Sequence, residues 1–493
     1  MAAISYGVYF LIRRLSKTEK AYFKKFASKY GKKEDELLLF DLINNVLKNI
    51  EDPKEVAKRV ESAYKRKRKK DNFALVKNKL LGDLTKALSE YDRSQKFESR
   101  LLHTHLEIKA LIKRNILDHG LKMLKKALIE IEQREAFNLM ILFAEQEAYI
   151  GVCKNNKEII SRAYVRKSYA LSQMNHLFDL QSLYEKVYDV HRTEGQNIDG
   201  NLSNRLQPLL QAFKEMDFAQ NSNTVLFNYH SLGKLIAFIA SDMPKTVHHL
   251  SEMVSIIKQN PTLFEEKGHA ALATYCDLIT HSFDIEGLDY YEKYFEEFTK
   301  LPAANNQIEQ YKKAMQLKIE LLRMHQLKDF TKVEKLEKQF WEIKDTINPN
   351  TRNSMYGNLI AANYWAGNKE NLISLIYAQL ELNTKDTKRT DMLILDELVL
   401  LILHYEDCEY ELLNNLIRSL NNRIKKSLTI GINEKAIIDF FKKAIGSAYG
   451  TETQLIKDTL QILEEHNYKV SLGNFDFIKW FDKLLIKKEV VLS

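Results

Sequence analysis

Asp277 and His281 stand one helical turn apart with Cys276 beside them, the one arrangement in this chain whose residue types and spacing a metal ion could use. A third ligand has to come from elsewhere, so the spacing reads as a half-buried histidine rather than a metal centre. His103 and His105 are two positions apart, and His248 and His249 are adjacent; neither spacing lets two imidazoles converge from one helix face. No glycine-rich phosphate loop, HExxH or GxSxG motif occurs. Carboxylates are spread along every stretch, so pairing any two as acid and base is arbitrary. The expectation is a protein that is not an enzyme and needs no metal or cofactor.

Charge is the stronger signal. The first hundred residues carry 25 Lys and Arg against 14 Asp and Glu, whereas the whole chain has 74 against 66. The positive excess is therefore confined to a basic head. Its densest part runs from Lys54 to Lys70, with Lys54, Lys58, Arg59, Lys65, Arg66, Lys67, Arg68, Lys69 and Lys70 as candidate polyanion contacts. Clustered Lys and Arg attract phosphates without reading bases, which points to RNA, a ribosome or DNA. The competing reading is a helix C-terminus whose positive side chains complement the helix dipole, ending in a solvated turn before Asp71 caps the next helix. On one helix Lys65 would stand over Lys69 and Arg66 over Lys70, pairs that repel by about 0.2–0.5 kcal/mol each.

Aromatic residues supply the third kind of chemistry. The chain holds 24 Tyr, 24 Phe and 3 Trp, with a dense cluster at Tyr290, Tyr291, Tyr294, Phe295 and Phe298. Positions 291, 294, 295 and 298 form one helical stripe, the pattern of a core. In a helical-repeat groove, tyrosines also bind peptides with large contact area and few rotatable bonds. Tyr290, Tyr291, Tyr294 and Tyr364 are the candidate groove residues.

The elements that would position these groups are helices. Only 6 Pro and 16 Gly occur, and apolar residues recur at three- and four-residue spacing almost throughout. Ser16 with Glu19 and Asp52 with Glu55 read as capping boxes, the second around Pro53 at the first helical position. Pro208, Pro244, Pro261, Pro302 and Pro349 lie between apolar-periodic stretches, where each ends one helix before another begins. Phe73, Val76, Leu80, Leu84, Leu88 and Tyr91 make a stripe expected to pack on the N-terminal helix of Tyr22, Phe23 and Phe26. Gly82 inside that helix argues against a DNA-reading helix-turn-helix. Phe477, Trp480, Phe481, Leu484 and Leu485 read as a final capping helix, with Lys487 and Lys488 facing water.

Partial echoes of the tetratricopeptide pattern are present. Gly120, Leu124 and Ala127 are spaced as its small, large and small trio, and Ala361, Tyr364 and Gly367 resemble its first helix and following turn. Near Pro261 the match weakens, because His249 stands where a small residue is expected. Two further stretches resemble an uncharacterised family of large bacterial helical-repeat proteins: Leu15 to Phe40, with Ser16, Glu19, Lys20, Tyr22, Phe23, Phe26, Ala27 and Ser28 before Leu39 and Phe40, and YELLNNLIRSL from Tyr410 to Leu420, followed by Phe440 and Phe441. The resemblance implies an all-helical repeat fold over most of the length. It implies no catalytic residues.

At 493 residues the chain exceeds one compact helical core, yet no Pro, Gly or Ser-rich linker divides it. Its odd, widely spaced cysteines, Cys153, Cys276 and Cys408, draw no disulfide framework. The apolar start lacks the order of an export signal, and the richest apolar stretch, Met392 to Tyr405, is broken by Asp396 and Glu397. The expected protein is cytoplasmic, with no membrane span. The expected fold is all-α, a tetratricopeptide-like right-handed α-solenoid of about 20 helices. The expected organisation is a basic head over residues 1–95, a repeat body over 96–470 and a capping helix over 471–493. The function that follows is a non-catalytic protein-interaction scaffold or adaptor holding a protein or peptide partner in its groove. The alternative is a ligand- or peptide-responsive regulator with the repeat body as sensor.

Overall fold

The scarcity of Pro and Gly and the helical spacing of apolar residues leave one kind of element, and the described residues form helices with no strand among them. The computed structural model of the chain describes residues 7–29, 34–50, 52–68, 72–194, 204–216, 221–265, 267–303, 306–386, 390–427, 431–445, 449–466, 468 and 475–492. They fall into two compact units: Met1–Glu132 with Ala136–Ala170, and Gln133–Glu135 with Leu171–Ser493. The units divide within a helix, at residue 170.

The first unit opens with α1 (Gly7–Arg14), α2 (Lys17–Lys29), α3 (Glu34–Val46), α4 (Pro53–Arg68) and α5 (Phe73–Gln95). Their apolar stripes close on one core containing Phe23, Phe40, Val60, Tyr64, Phe73, Leu80 and Leu84. Phe23 meets Phe40 with ring centroids 4.9 Å apart, and Tyr22 meets Tyr91 edge-on at 5.1 Å. The α5 stripe thus packs on α2 as its spacing predicts. The Ser16 box is reciprocal: the Ser16 amide donates to Glu19 Oε2 at 2.7 Å and the Glu19 amide donates to Ser16 Oγ at 3.2 Å. The second box is only half formed. Asp52 Oδ1 accepts from the Lys54 amide at 3.1 Å, but the Glu55 carboxylate turns outward to Arg59.

Three helices of 17 residues follow, α6 (Phe97–Lys113), α7 (Leu117–Gln133) and α8 (Phe137–Cys153), and then the 38-residue α9 (Lys157–Glu194), which crosses into the second unit. The turns between them share one device. Asn115, Glu135 and Asn155 take φ of 59°, 49° and 48°. The next amide in each turn donates to a carbonyl five residues back, Ile116 to Leu111, Ala136 to Ile131 and Asn156 to Gly151, at 2.9–3.1 Å. This left-handed closure satisfies the last helical carbonyls and reverses the chain. Arg100 and Glu130, equidistant from Asn115 along the chain, then form an ion pair, as antiparallel neighbours must. Gly120, Leu124 and Ala127 are all buried on α7. Glu147, 1% exposed, is held by Arg162 at 2.7 Å and by Arg166, which also reaches Glu132. One buried carboxylate thereby ties α7, α8 and α9.

The second unit continues with α10 (Leu206–Lys214), α11 (Asn223–Ile239), α12 (Met243–Gln259), α13 (Pro261–Phe264), α14 (Gly268–Lys300), α15 (Asn306–Leu327) and α16 (Val333–Ile343). It ends with α17 (Pro349–Ala366), α18 (Lys369–Asp386), α19 (Thr390–Glu406), α20 (Tyr410–Ser427), α21 (Ile432–Ala444), α22 (Tyr449–Glu465) and α23 (Phe477–Leu492). Pro53, Pro244, Pro261 and Pro349 open helices and Pro302 separates two, whereas Pro208 is the third residue of α10 rather than a break. Ser241, Lys328, Gly367 and Cys408 repeat the left-handed turn. α11 is capped twice at its start, by Ser222 Oγ on the Val225 amide and by the Glu135 carboxylate on the amides of Asn223 and Thr224 at 2.9 and 2.6 Å. The last helix closes an aromatic core in which Trp480 and Phe481 meet Phe440, and Phe441 meets Trp480. Lys488 does not simply face water there, since it pairs with Glu452 at 2.6 Å.

His249, which spoils the repeat pattern in the sequence, has its small partner on the opposite helix. A Cβ on Gly233 would lie 2.5 Å from the His249 ring, so α11 and α12 approach closely only because Gly233 lacks one. At Gly120 a Cβ would meet its neighbours at an ordinary 3.8 Å. Gly233→Ala is expected to lower stability by about 1–3 kcal/mol through this overpacking. Gly120→Ala is expected to be neutral or to stabilise by up to about 1 kcal/mol through helix propensity. Urea unfolding of both variants checks the contrast.

Candidate functional site

In the second unit, four helices bring two or three chemically distinctive side chains each to one place. On α9, Leu180, Leu183, Val187 and Val190 face the core, which leaves Tyr184 and Tyr188, one turn apart, on the outer side. Their rings stack with centroids 6.2 Å apart, and Tyr188 continues to His191 at 6.4 Å. On α11, Leu232, Leu235 and Ile236 are buried, and Lys234 and Phe238 share the flank. Phe238 joins the ladder, 5.7 Å from His191 and 5.3 Å from His281 on α14. Asp277, one turn before His281, receives Lys234 Nζ at 2.9 Å. α15 adds Tyr311 and Lys318, both half-buried.

Burial dominates the electrostatics of this cluster. The Lys234 and Asp277 side chains keep 23% and 30% of their exposure, yet burial is the largest influence on the charge of each. Burial pushes Asp277 upward, but Lys234, Lys318 and His281 together outweigh it and hold the carboxyl at about 2. Lys234, penalised by burial, is nevertheless raised by Asp277. His281 is driven down to about 4 by burial and the two lysines, against the pull of Asp277, so it is neutral at pH 7. Cys276 lies behind the pair with its thiol pushed up to about 11 by burial. Asp277 is thus committed to a lysine and Cys276 stays protonated; among the described residues no group of three His, Cys, Asp or Glu is placed to hold a metal.

A second titratable cluster lies on the neighbouring hairpin. His249 finds a partner not on its own helix but on α11, where His230 Nδ1 lies 3.0 Å from His249 Nδ1. Burial, then the neighbouring imidazoles, lowers both to about 4. One ring therefore donates and the other accepts, a bond that protonation of the accepting nitrogen destroys.

The residues singled out in the sequence are dispersed. Tyr291 and Tyr294 are core residues at 1% and 9% exposure, and Tyr290 is half-buried with its hydroxyl donating to Tyr294 Oη at 3.3 Å. Tyr364 is half-buried and donates to Glu406, which also accepts Trp480 Nε1 at 3.0 Å. In the basic run, Val56, Val60 and Tyr64 of α4 face the core, so Lys54, Lys58 and Lys65 share the opposite side. Lys65 pairs with Glu61 at 2.8 Å, Arg59 with Glu55, and Arg68 with Asp35 at 2.6 Å. Arg66 Nε donates back to the Ser62 carbonyl at 3.3 Å, and Lys67 is exposed. Lys69, Lys70 and the cap assigned to Asp71 lie outside the described residues. Elsewhere in the head Lys20 is half-buried, and its charge is disfavoured first by burial and then by Lys48. The ladder of Tyr184, Tyr188, His191, Phe238 and His281 was missed in the sequence. Its one signal there is the one-turn spacing within each helix, since the convergence comes from packing.

Acid is expected to undo this unit in two steps. His230, His249 and His281 have folded values below the ordinary 6.5, so their contribution is full above that value and is lost as pH falls toward about 4. After solvent screening each is worth about 1–2 kcal/mol. Urea midpoints taken from pH 7 to 4.5 should fall, and His281→Gln should flatten that slope. Asp277, whose folded value is depressed, stabilises above about 4 and ceases to as pH drops through about 2. At pH 7 Asp277→Asn should cost about 1–2 kcal/mol, and Lys234→Met made with it should recover part of that loss in a double-mutant cycle.

No protein-family model matches this chain, and neither does any curated protein or solved structure.

Proposed function

We propose that the chain is a non-catalytic binding protein, a scaffold or adaptor, whose second unit holds a segment of a protein partner against the ring-lined crevice of α9, α11, α14 and α15. The observation that carries this reading is the ladder from Tyr184 to His281, a row of rings spanning three helices that still reaches water beside the Lys234–Asp277 pair. Rings of this kind give large contact area at small entropic cost, and they cluster where binding energy concentrates. The charge pair is satisfied internally, so a partner covering it strands no ion. On this reading the hairpins act as tetratricopeptide-like repeats whose exposed flanks form the binding surface.

We further infer that the head contacts a polyanion such as RNA, a ribosome or DNA. The Lys20 charge, disfavoured by burial and then by Lys48, supports this, because a bound anion relieves both penalties. Lys54 and Lys58 lie on the outer side of α4.

A photo-crosslinking phenylalanine derivative at position 188 tests the first reading, with nuclease-treated and untreated lysate run side by side. The expected result is a discrete protein adduct that survives nuclease and weakens at least about tenfold in Tyr184→Ser. Absence of an adduct, or an adduct indifferent to Tyr184→Ser, overturns it. Retention on immobilised RNA that is unchanged by Gln at Lys20, Lys48, Lys54 and Lys58 overturns the second.

A further inference from the structure

A different place in the second unit carries a ligand argument of its own. Asp396 on α19 is 5% exposed, and its only described influence is burial, which raises its carboxyl well above the usual range. Its Oδ2 is buried and has no hydrogen-bond partner among the described residues. Gln379 on α18 is fully buried; its Nε2 donates to the Asn353 carbonyl at 3.3 Å, and its Oε1 accepts nothing among the described residues. Both side chains line one small, partly open pocket of about 30 Å³, whose other walls are Gly357 and Ile360 of α17, Leu395 and Val399 of α19, and Phe475.

Two buried acceptors without a donor cost free energy, on the order of 1–3 kcal/mol for each unsatisfied group. An occupant that removes this cost must supply N–H or O–H donors. It must also be small, since the enclosed part accepts only one or two water-sized groups, such as an ammonium and its first carbon, and anything longer extends through the open side. A positive charge adds a second gain, because the carboxylate can then ionise against a partner instead of remaining a neutral acid in an apolar wall. Calcium and magnesium fit poorly, because they want six or more oxygens and this wall offers a carboxylate and one amide, and zinc finds no histidine or cysteine in it. A quaternary ammonium fits poorly too, because it has no N–H. A primary ammonium group has three donors, and its carbon skeleton can rest on the apolar wall and the face of Phe475.

We propose that this pocket is a binding site for a small primary alkylammonium cation, with Asp396 Oδ2 and Gln379 Oε1 accepting its N–H groups and Leu395, Val399 and Phe475 holding its carbon chain. The site shares no residue with the ring-lined crevice and does not depend on the function proposed for it.

The test is thermal unfolding of the full chain in ethylammonium chloride, with tetramethylammonium chloride at equal ionic strength as control. The expected result is a saturable rise of the midpoint with ethylammonium alone. Apparent affinity should fall at least about tenfold in Asp396→Asn, which loses the charge but keeps the shape, and should vanish in Asp396→Leu. Neither variant breaks a hydrogen bond among the described residues, so both should fold, and calorimetric titration of the unmodified chain gives an independent reading. Equal shifts from the two cations, or unchanged affinity in Asp396→Asn, overturn the proposal and leave a pocket that holds only water.

Discussion

The left-handed turn residue is the constraint on which the rest depends. A helix leaves its last carbonyls without partners, and a chain that reverses within about three residues satisfies them economically by placing one residue at positive φ. Every described residue with positive φ does this, and in each case the following amide closes back on the preceding helix. Outside Gly and Asn the conformation costs about 1 kcal/mol or more. Glu135, Ser241, Lys328 and Cys408 accept that cost. Glu135 offsets it, since its carboxylate holds the start of α11. The turn fixes which residues of two helices lie opposite each other, and so decides where Arg100 meets Glu130 and where Gly233 receives His249.

Charge is handled locally wherever it is buried. Glu147 has two arginines, and Asp277 has Lys234 with Lys318 nearby. Asp396 is the exception, with neither charge nor donor beside it among the described residues. The same economy applies at the surface of the head, where Arg59, Lys65 and Arg68 of the basic run meet acids of α3 and α4.

What could be read from the residues alone is what depends on neighbours along the chain. The all-α class, the Ser16 box, the α5 stripe and the closing cluster around Trp480 follow from spacing of three and four and from single caps. The Glu55 half of the second box failed because Arg59, one turn away, offers the carboxylate a charged partner. The tyrosines of residues 290–294 are legible as a core stripe, yet the two exposed tyrosines of the ladder lie on α9, where nothing in the local sequence separates Tyr184 from the core tyrosines. Convergence of His230 on His249, or of Lys234 on Asp277, needs the register of two helices, and that register is set by turns whose residue types, Glu, Ser, Lys and Cys, give no warning of positive φ.

Between Phe97 and Asn156 the chain keeps strict time: helices of 17 residues, with Asn115, Glu135 and Asn155 marking each reversal. One residue inserted into such a helix would rotate everything beyond it by about 100° and carry buried positions such as Leu124 to the outside. A whole helix with its turn could be gained or lost with the meter intact, provided its neighbours' faces match. Change in this part of the molecule is therefore quantised, with the smallest permissible step measured in complete hairpins rather than in residues.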